Sequence, residues 1–551
     1  SSVAEKKVNV TLQTDVADLE IPSEAWKSMA NAAKNDSIVI AVKENKDTTA
    51  TTTWDVTAQD ESGSNVFDAD SQGEIKITVA YTAGADATDV KVYCIDTGEW
   101  METIWDKTNA LLSWFAPHFS SYGTVETKAG DVATWTVKGG TTGTGSLAQA
   151  LEAVRTNGGE INLLQDATLP NAQYVISKDV TINGNGKQVT VTVKAGDSAT
   201  DNGNIAFNVD SGATFTLNSV NMTISGTANR DTANGYDGTG FNVSHDAYLK
   251  VNNSTITVQK IERATTAGGA DKAHFQFDNS QVTFQKIDGN ASNGGSWTLD
   301  DTDLTIAGCG SHAISAHTFT TTGSTNVNIS NTDYAAIYGY NEINIGTGTN
   351  VTVTNCGTKL PYRSAGNYGD CTAPIQMQVK RANKDDEGQG TLANSGAKIE
   401  IDQGATVTVT GTKNTVHVPS GVDFINNGTV NATINVAAPA DDSGNCVVQY
   451  MIDGQIVYAK SMSVDPDTGI VDRWVEDLPT NPGYTLSAWT CTDSSVTATT
   501  VNGYAKWSGV QSGKTYVFNA YWIANPTPVV PDDNTPSYSG GSSSSETSYS
   551  N

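Results

Sequence analysis

Four short passages in the middle of the chain share one order of apolar and polar positions. Each has an apolar residue, a polar corner rich in Asn, Asp or Ser, and then an apolar–Thr–apolar run: residues 217–224, 251–258, 277–284 and 299–306. Alternation with a period of two predicts strands with one buried face, and the corners predict turns closed by their own side chains. The leading apolar residues recur 34, 26 and 22 residues apart, at Leu217, Val251, Phe277 and Leu299. This is a solenoid spacing, because stacked turns bury a face that one turn leaves open, and we predict a β-helix.

The same alternation continues on both sides of these passages. Further coils are expected at 327–329, 343–353, 399–409 and 424–436, which makes roughly ten coils in all. Extra residues between coils must leave the core, often on one side, and we expect three such insertions at 225–247, 261–272 and 357–396.

Two helices are predicted before the coils. One opens near Ser23, a plausible N-cap, and runs to about Ala33 within a β-rich segment of residues 1–125. The other begins at Ser146, places four apolar residues on one face, and ends at a Gly-Gly pair at 158–159. A Gly/Thr-rich connection, residues 126–145, separates the two segments.

Composition and charge exclude several classes of partner. The 551 residues carry a formal net charge of −28, although only 17% of them are charged. An acidic surface does not release the counterions of nucleic acid and is repelled by anionic membranes, so neither partner is expected. The sequence has no apolar run long enough to insert into a bilayer. It also has no signal-peptide core at Ser1, which favours a mature or excised segment.

Six cysteines are too few for a disulfide-built scaffold. Cys94 is expected to be a buried thiol. Cys446 and Cys491 fall in one C-terminal segment and are a possible disulfide, as are Cys356 and Cys371, which leaves Cys309 unpaired. No Cys or His spacing indicates a metal site, and no cofactor is expected, although structural calcium stays open.

Three regions resemble known protein modules. A Val-Tyr-Cys-Ile-Asp-Thr-Gly strand and turn, followed by Trp-Phe-Ala-Pro-His-Phe-Ser-Ser-Tyr-Gly-Thr-Val at 114–125, resembles a β-sandwich module of Gram-positive cell-surface proteins. The helix, Gly-Gly and strand before Thr-Ile-Asn-Gly-Asn-Gly at 181–186 resemble the capped start of pectin-lyase-like right-handed β-helices. Gly-Tyr-Thr-Leu-Ser-Ala-Trp at 483–489, closing with Asn-Ala-Tyr-Trp at 519–522, is similar to the internalin-type β-grasp repeat.

These patterns predict an all-β chain, a right-handed parallel β-helix flanked by two smaller modules. The expected order is a β-sandwich-like module at 1–128, the capped β-helix at 129–440, the β-grasp module at 441–524 and a Pro/Ser/Gly-rich linker at 525–551.

Candidate chemistry is dispersed along the sequence. Asp300 and Asp301 are adjacent carboxylates, as in some hydrolases, but they occupy the corner where other coils carry Asn and Ser, so a polar turn ladder is the preferred interpretation. His312 and His317 favour packed or solvated histidines over a metal site. His118-Phe119-Ser120 matches a triplet that cleaves itself in some relatives of the sandwich, but packing of a last core strand is preferred here. No catalytic residue is assigned.

The insertions carry arginine beside tyrosine, a common pairing in binding sites. Loops on a rigid scaffold are where binding usually resides, so we predict a ligand site formed by the following residues: Arg230, Tyr236, Arg263, Tyr362, Arg363 and Tyr368. The alternative, that these loops only cover the solenoid, stays open.

The function predicted from these features is adhesion or surface display by an extracellular, bacterial cell-surface protein. Its partner is expected to be a glycan or a host or partner surface protein, with the oligomeric state open. The rival hypothesis is a secreted polysaccharide lyase or glycoside hydrolase acting through the insertions, with Arg230 or Arg263 as a lyase base.

Overall fold

The protein is all-β and is dominated by large parallel sheets. The structure, a computed structural model, describes residues 9–34, 37–46, 52–68, 71–97, 99–194, 205–227, 238–268, 272–361, 371–381, 390–392, 396–437, 444–464, 484–501 and 504–525. No helix in these described ranges has the length and apolar character needed to cross a bilayer.

The N-terminal region consists of two antiparallel sheets and one helix. Its strands are β1 (Val10–Gln13), β2 (Ala17–Ile21), β3 (Ile38–Lys46), β4 (Thr52–Asp60), β5 (Ile75–Ala80), β6 (Ala87–Cys94), β7 (Thr103–Asp106), β8 (Leu111–Ala116) and β9 (Ser121–Lys128). One sheet has the order β1-β2-β5-β8-β7 and the other β3-β4-β9-β6. Trp114 is fully buried between them, 5.4 Å from the ring of Trp54 and 5.5 Å from that of Tyr122.

Helix α1 (Ser23–Ala32) confirms the first predicted helix but not its cap. Its N-cap is Pro22, which makes no side-chain cap hydrogen bond, so the prediction of Ser23 as the cap was wrong by one residue. Pro22 sits at an extended backbone conformation that leads directly into the first turn. The helix buries Ala25 and Met29 against the sheets.

Helix α2 (Leu147–Val154) closes the first coil, as predicted. Ser146 and Gln149 form a reciprocal capping box, which satisfies two backbone N–H groups at the start of the helix. The apolar face, Leu147, Ala150, Leu151 and Val154, is buried in the same core as the coils that follow. The helix therefore shields an end of the core that would otherwise face water.

The central region is a stack of short strands. In chain order these are β10 (Ala133–Val137), β11 (Thr142–Gly145), β12 (Gly159–Leu163), β13 (Ala167–Leu169), β14 (Tyr174–Ile176), β15 (Val180–Asn183), β16 (Gln188–Val193), β17 (Ile205–Val209), β18 (Thr214–Asn218), β19 (Asn221–Gly226), β20 (Thr239–Ser244), β21 (Tyr248–Asn252), β22 (Thr255–Ile261), β23 (Arg263–Gly268), β24 (His274–Asp278), β25 (Gln281–Ile287), β26 (Ser292–Asn293), β27 (Ser296–Asp300), β28 (Asp303–Cys309), β29 (Ile314–Thr322), β30 (Asn326–Thr332), β31 (Ile337–Ile345), β32 (Asn350–Thr354), β33 (Ile375–Met377), β34 (Val379–Arg381), β35 (Gly390–Leu392), β36 (Lys398–Ile401), β37 (Thr406–Thr410), β38 (Thr415–Val418), β39 (Asp423–Asn426), β40 (Thr429–Asn431) and β41 (Thr433–Val436).

Between β12 and β41 the strands pair with one another in parallel and form three faces, as in a β-helix, except for the antiparallel pair β34 and β35. Face A contains β12, β15, β18, β21, β24, β27, β36 and β39, together with the second halves of β29 and β31. Face B is the sheet β13-β16-β19-β22-β25-β28-β30-β32-β37-β40. Face C contains β14, β17, β20, β23, β26, β33, β38 and β41, together with the first halves of β29 and β31. The chain passes from face C to A to B in each coil.

The register predicted from the sequence is the observed register. On face A, Leu217 is opposite Val251, which is opposite Phe277, which is opposite Leu299. On face B, the second apolar positions align in the same way from Met222 to Leu304. All of these side chains lie in one continuous apolar core.

The corner between faces A and B repeats one backbone conformation. Ser219, Asn253, Asn279 and Asp301 all have φ between 44° and 50°, the left-handed region that Asn and Asp tolerate best. The residue after each corner points inward. There Ser254 Oγ, Ser280 Oγ, Thr302 Oγ1 and Thr325 Oγ1 each accept a backbone N–H from the preceding coil, at 3.0–3.3 Å. The predicted turn ladder is therefore confirmed.

The C-terminal strands continue the sheet of the stack. They are β42 (Asn445–Ile452), β43 (Gln455–Ser463), β44 (Tyr484–Cys491), β45 (Thr497–Val501), β46 (Tyr504–Ser508) and β47 (Thr515–Ala524). A hairpin turn joins β42 to β43, with φ of 49° at Asp453 and 79° at Gly454. Strand β43 pairs with β39 of face A, and Lys460 makes an ion pair with Asp423 across this junction.

Candidate functional site

The insertions enter the stack at the two edges of face C. Segments 227–238 and 355–374 connect face B to face C, whereas 268–273 and 378–397 connect face C to face A. Part of each predicted insertion is itself a strand of face C: β20, β23 and β33 lie inside 225–247, 261–272 and 357–396. The predicted boundaries were wrong there because these strands lack the apolar–Thr–apolar pattern of face B: β20 and β23 are rich in Thr, Gly and Ala, and β33 is only three residues long.

Face C presents one outward row of polar side chains between these edges. Its inward positions, such as Phe207, Phe241 and Ile314, lie in the core. Strand alternation therefore points their neighbours outward. From β17 to β41 the register aligns that row in the order Asn208, Asn242, Thr266, Asn293, Ser315, Tyr338, Gln376, His417 and Asn435.

The first part of this row is partly accessible, although the hydroxyl oxygen of Thr266 is itself buried. Asn208, Asn242, Thr266 and Asn293 are all half-buried. Asn242 Nδ2 donates to Asn208 Oδ1 at 2.6 Å, and Asn290 Nδ2 contacts Asn293 Oδ1 at 3.4 Å. These bonds fix the orientation of the amides and leave the second oxygen or N–H of several of them for a ligand.

The later part of the row is covered by the described base of the third insertion. Leu360 and Cys371 pack with Tyr338 in a small apolar cluster, and Gln376 Oε1 accepts a hydrogen bond from the backbone of Thr372 at 2.9 Å. The ring of His312 stacks on that of Tyr338, with centroids 4.9 Å apart. Burial lowers the pKa of His312 to about 4, so this histidine is neutral and packed, as predicted.

Arg263 is the one member of the predicted ligand site that the structure describes. It begins β23 at the edge between faces B and C, and its guanidinium lies 3.3 Å from the carboxylate of Glu262. Its side chain is 30% exposed, so a ligand can still reach it. The other members lie outside the described residues: Arg230, Tyr236, Tyr362, Arg363 and Tyr368.

A ladder of amides runs along face A where its strands end. Asn183 Nδ2 donates to Asn162 Oδ1, Asn218 Nδ2 to Asn183 Oδ1 and Asn252 Nδ2 to Asn218 Oδ1, at 2.9–3.0 Å. Asn162 and Asn183 also donate to Glu160, which ends the ladder. Asp300 occupies the equivalent position further along and accepts from Thr322, while Asp301 accepts from the backbone of Ser324. The carboxylates of Asp300 and Asp301 are thus part of the turn structure.

None of the cysteines in the described residues forms a disulfide. The two possible pairs are not joined for geometric reasons. Cys446 lies on β42, opposite Met462 of β43, whereas Cys491 lies on β44, opposite Phe518 of β47. Strand β47 separates β44 from β42. Cys356 lies in the main core and Cys371 in the separate cluster around Tyr338. Cys94 is a buried thiol, as predicted.

His118-Phe119-Ser120 is held in the core of the N-terminal region. Phe119 packs on Phe67 with ring centroids 5.0 Å apart, and Tyr122 donates its hydroxyl hydrogen to the carbonyl of His118. Ser120 donates to the carboxylate of Asp96. These contacts match the preferred packing interpretation of the triplet.

The outward row was missed at sequence level, although a signal for it exists. Ala206-Phe207-Asn208-Val209 and Gly240-Phe241-Asn242-Val243 repeat a Phe-Asn-Val order 34 residues apart, the coil spacing of this part of the chain. The repeat predicts a strand that places Phe in the core and Asn outside.

Comparison with known proteins gave no match: no family model, no curated protein and no solved structure is similar to this chain.

Proposed function

We propose that the protein is an extracellular bacterial surface protein that mediates adhesion or surface display by binding a glycan or a partner surface protein on face C. The stack is proposed to be a right-handed β-helix, with the N-terminal sheets as its β-sandwich-like module and the C-terminal strands as its β-grasp module. The observation that carries the function is the outward polar row between the two insertion edges.

The row suits a polymer of hydroxylated units. Parallel strands repeat every ~4.8 Å, so a chain that lies along the stack meets a new amide or hydroxyl at each coil. Asn and Thr both donate and accept hydrogen bonds, which matches sugar hydroxyls. Arg263 at the edge adds a charged donor for an acidic or hydroxyl group.

Retention on a glycan and host-protein array tests the proposal. Alanine at both Asn242 and Asn293 should weaken binding at least tenfold, because the ligand loses several hydrogen bonds of about 0.5–1.5 kcal/mol each. The matched control replaces Thr257 and Thr283, which face outward on face B, and should bind like the wild type.

The insertions are tested by Arg263→Ala and by replacing 362–370 with a short Gly-Ser bridge. Both should weaken binding while circular dichroism stays unchanged, because neither change removes a described strand of the stack. Binding that survives these changes and the row variants excludes face C. New reducing ends, or unsaturated products that absorb in the ultraviolet, would contradict the proposed adhesion function and favour the rival lyase or hydrolase function.

A further inference from the structure

A second concave surface lies where the N-terminal sheets meet the first coils. This junction cleft has a volume of about 640 Å³, within the size range of small-ligand sites. The N-terminal region contributes Glu74, Lys91, Glu99, Trp100, Met101, Glu102, Phe115 and Pro117. The start of the stack contributes Thr134, Glu160, Asn162, Leu164 and Asn185.

One wall of the junction cleft is aromatic. Trp100 is half-buried, and its ring is fixed against Tyr93 with centroids 5.8 Å apart. Phe115 and Pro117 extend this apolar wall. The indole N–H of Trp100 is buried and has no hydrogen-bond partner among the described residues, so a ligand meets the ring of Trp100 and not its N–H.

The rest of the lining is acidic. It holds the carboxylates of Glu74, Glu99, Glu102 and Glu160 against a single ammonium, that of Lys91, for a formal charge of −3. Lys91 is itself 3.4 Å from the carboxylate of Asp89, which lies outside the lining. The lining therefore carries excess negative charge next to an aromatic surface.

Glu160 is held in place at the inner side of the cleft. The amides of Asn162 and Asn183 both donate to its Oε1, which holds that oxygen in place. Burial raises the pKa of Glu160, and the negative charge of Glu99 adds to the effect. A positive charge in the cleft would offset both causes, because it favours the ionised carboxylate.

We propose that the junction cleft binds an arginine side chain of a partner polypeptide. A planar guanidinium stacks on an indole face while its edge donates hydrogen bonds to carboxylates. An anionic ligand would be repelled, and a neutral sugar would leave the excess charge desolvated without compensation. This site is separate from face C and does not depend on the function proposed there.

Calorimetric titration of the full chain tests the site. The probes are a capped hexapeptide with two arginines, its lysine counterpart, its glutamine counterpart, glucosamine and a neutral oligosaccharide. The arginine peptide should bind most tightly, the lysine peptide less tightly because it cannot stack or bond in a bidentate way, and the other three should not bind. Equal binding of the glutamine peptide, or stronger binding of either sugar probe, would overturn the proposal.

Variants locate the binding. Glu160→Gln and Trp100→Ala should each weaken the arginine peptide at least tenfold, and Glu24→Gln, an exposed carboxylate on α1, should leave it unchanged. If Glu160→Gln or Trp100→Ala disturbs folding, the exposed pair Glu99→Gln and Glu102→Gln gives the same readout. Wild-type affinity in the folded variants refutes the site, and variants of Asn242 and Asn293 show whether face C contributes.

Discussion

Ser280→Ala removes one hydroxyl from the row of inward Ser and Thr side chains at the corner between faces A and B. Ser280 is 4% exposed, accepts the backbone N–H of Ser254 at 3.1 Å and donates to the carbonyl of Asp278 at 2.7 Å. Alanine removes the acceptor and leaves the N–H of Ser254 buried without a partner. An unpaired buried group of this kind lowers the free energy of local opening by about 1–3 kcal/mol. The equilibrium constant for opening around Ser254 should then rise about 5- to 150-fold, since each 1.4 kcal/mol changes an equilibrium constant about tenfold.

Native-state hydrogen exchange, read by mass spectrometry with fragmentation to single residues, measures this opening directly. The amide of Ser254 should exchange faster by that factor in Ser280→Ala. Ser280→Thr should keep slow exchange, because Thr302 and Thr325 already fill the equivalent positions. Thr305→Ala, at an exposed position of face B, is the matched control. Exchange at Ser254 within twofold of the wild type, or equal acceleration by threonine and alanine, would refute the reasoning.

Three further perturbations test other parts of the fold. Trp297 is fully buried and stacks on Phe275 and Phe277 at 5.1 and 5.2 Å, so Trp297→Ala should lower the free energy of unfolding by about 3–5 kcal/mol in urea titrations; a loss under 1 kcal/mol would contradict the observed packing. Lys460→Met leaves Asp423, whose side chain is 23% exposed, without its partner and should lower stability by about 1–3 kcal/mol in thermal unfolding; adding Asp423→Leu should recover most of the loss, and no recovery would exclude an electrostatic cause. Because burial raises the pKa of Glu160 in the folded state, its ionised form opposes folding at neutral pH, and stability is gained as pH falls through the folded-state pKa toward the ordinary value of 4.5. Glu160→Gln should therefore raise the melting temperature at pH 7.5 and lose that advantage near pH 4; a lower melting temperature at pH 7.5 would show that the bonds from Asn162 and Asn183 outweigh burial.

The coil register could be predicted because two requirements coincide in the same residues. At Leu217, Val251 and their successors, core burial fixes the apolar side chain, and the Asn, Asp or Ser corner that follows fixes the turn. Each signal is local, so a short stretch of sequence contains both. Helix α2 was predictable for the same reason, since its cap and apolar face lie within nine residues.

Face C and the junction cleft depend on contacts that a local pattern does not contain. Thr265 and Ser292 face the core on face C although both are polar, so alternation of apolar residues did not reveal β23 and β26. The cleft unites Trp100 of the N-terminal region with Glu160 of the first coil, which are separated by 60 residues. Only the docking of the N-terminal sheets on the first coils brings these side chains together.

The amide ladder on face A has one direction. Each amide from Asn252 to Asn183 donates toward the start of the chain, and the ladder ends on a carboxylate that can only accept. Turning one amide around would place two oxygens, or two N–H groups, against each other at its neighbours. The side chains therefore choose their orientation together, and Glu160 determines which of the two collective arrangements is stable. The ladder is a row of aligned dipoles, and its polarity is set at the junction cleft. A charge bound there therefore acts first on the amide of Asn183 and then, with diminishing strength, on the amide of each later coil.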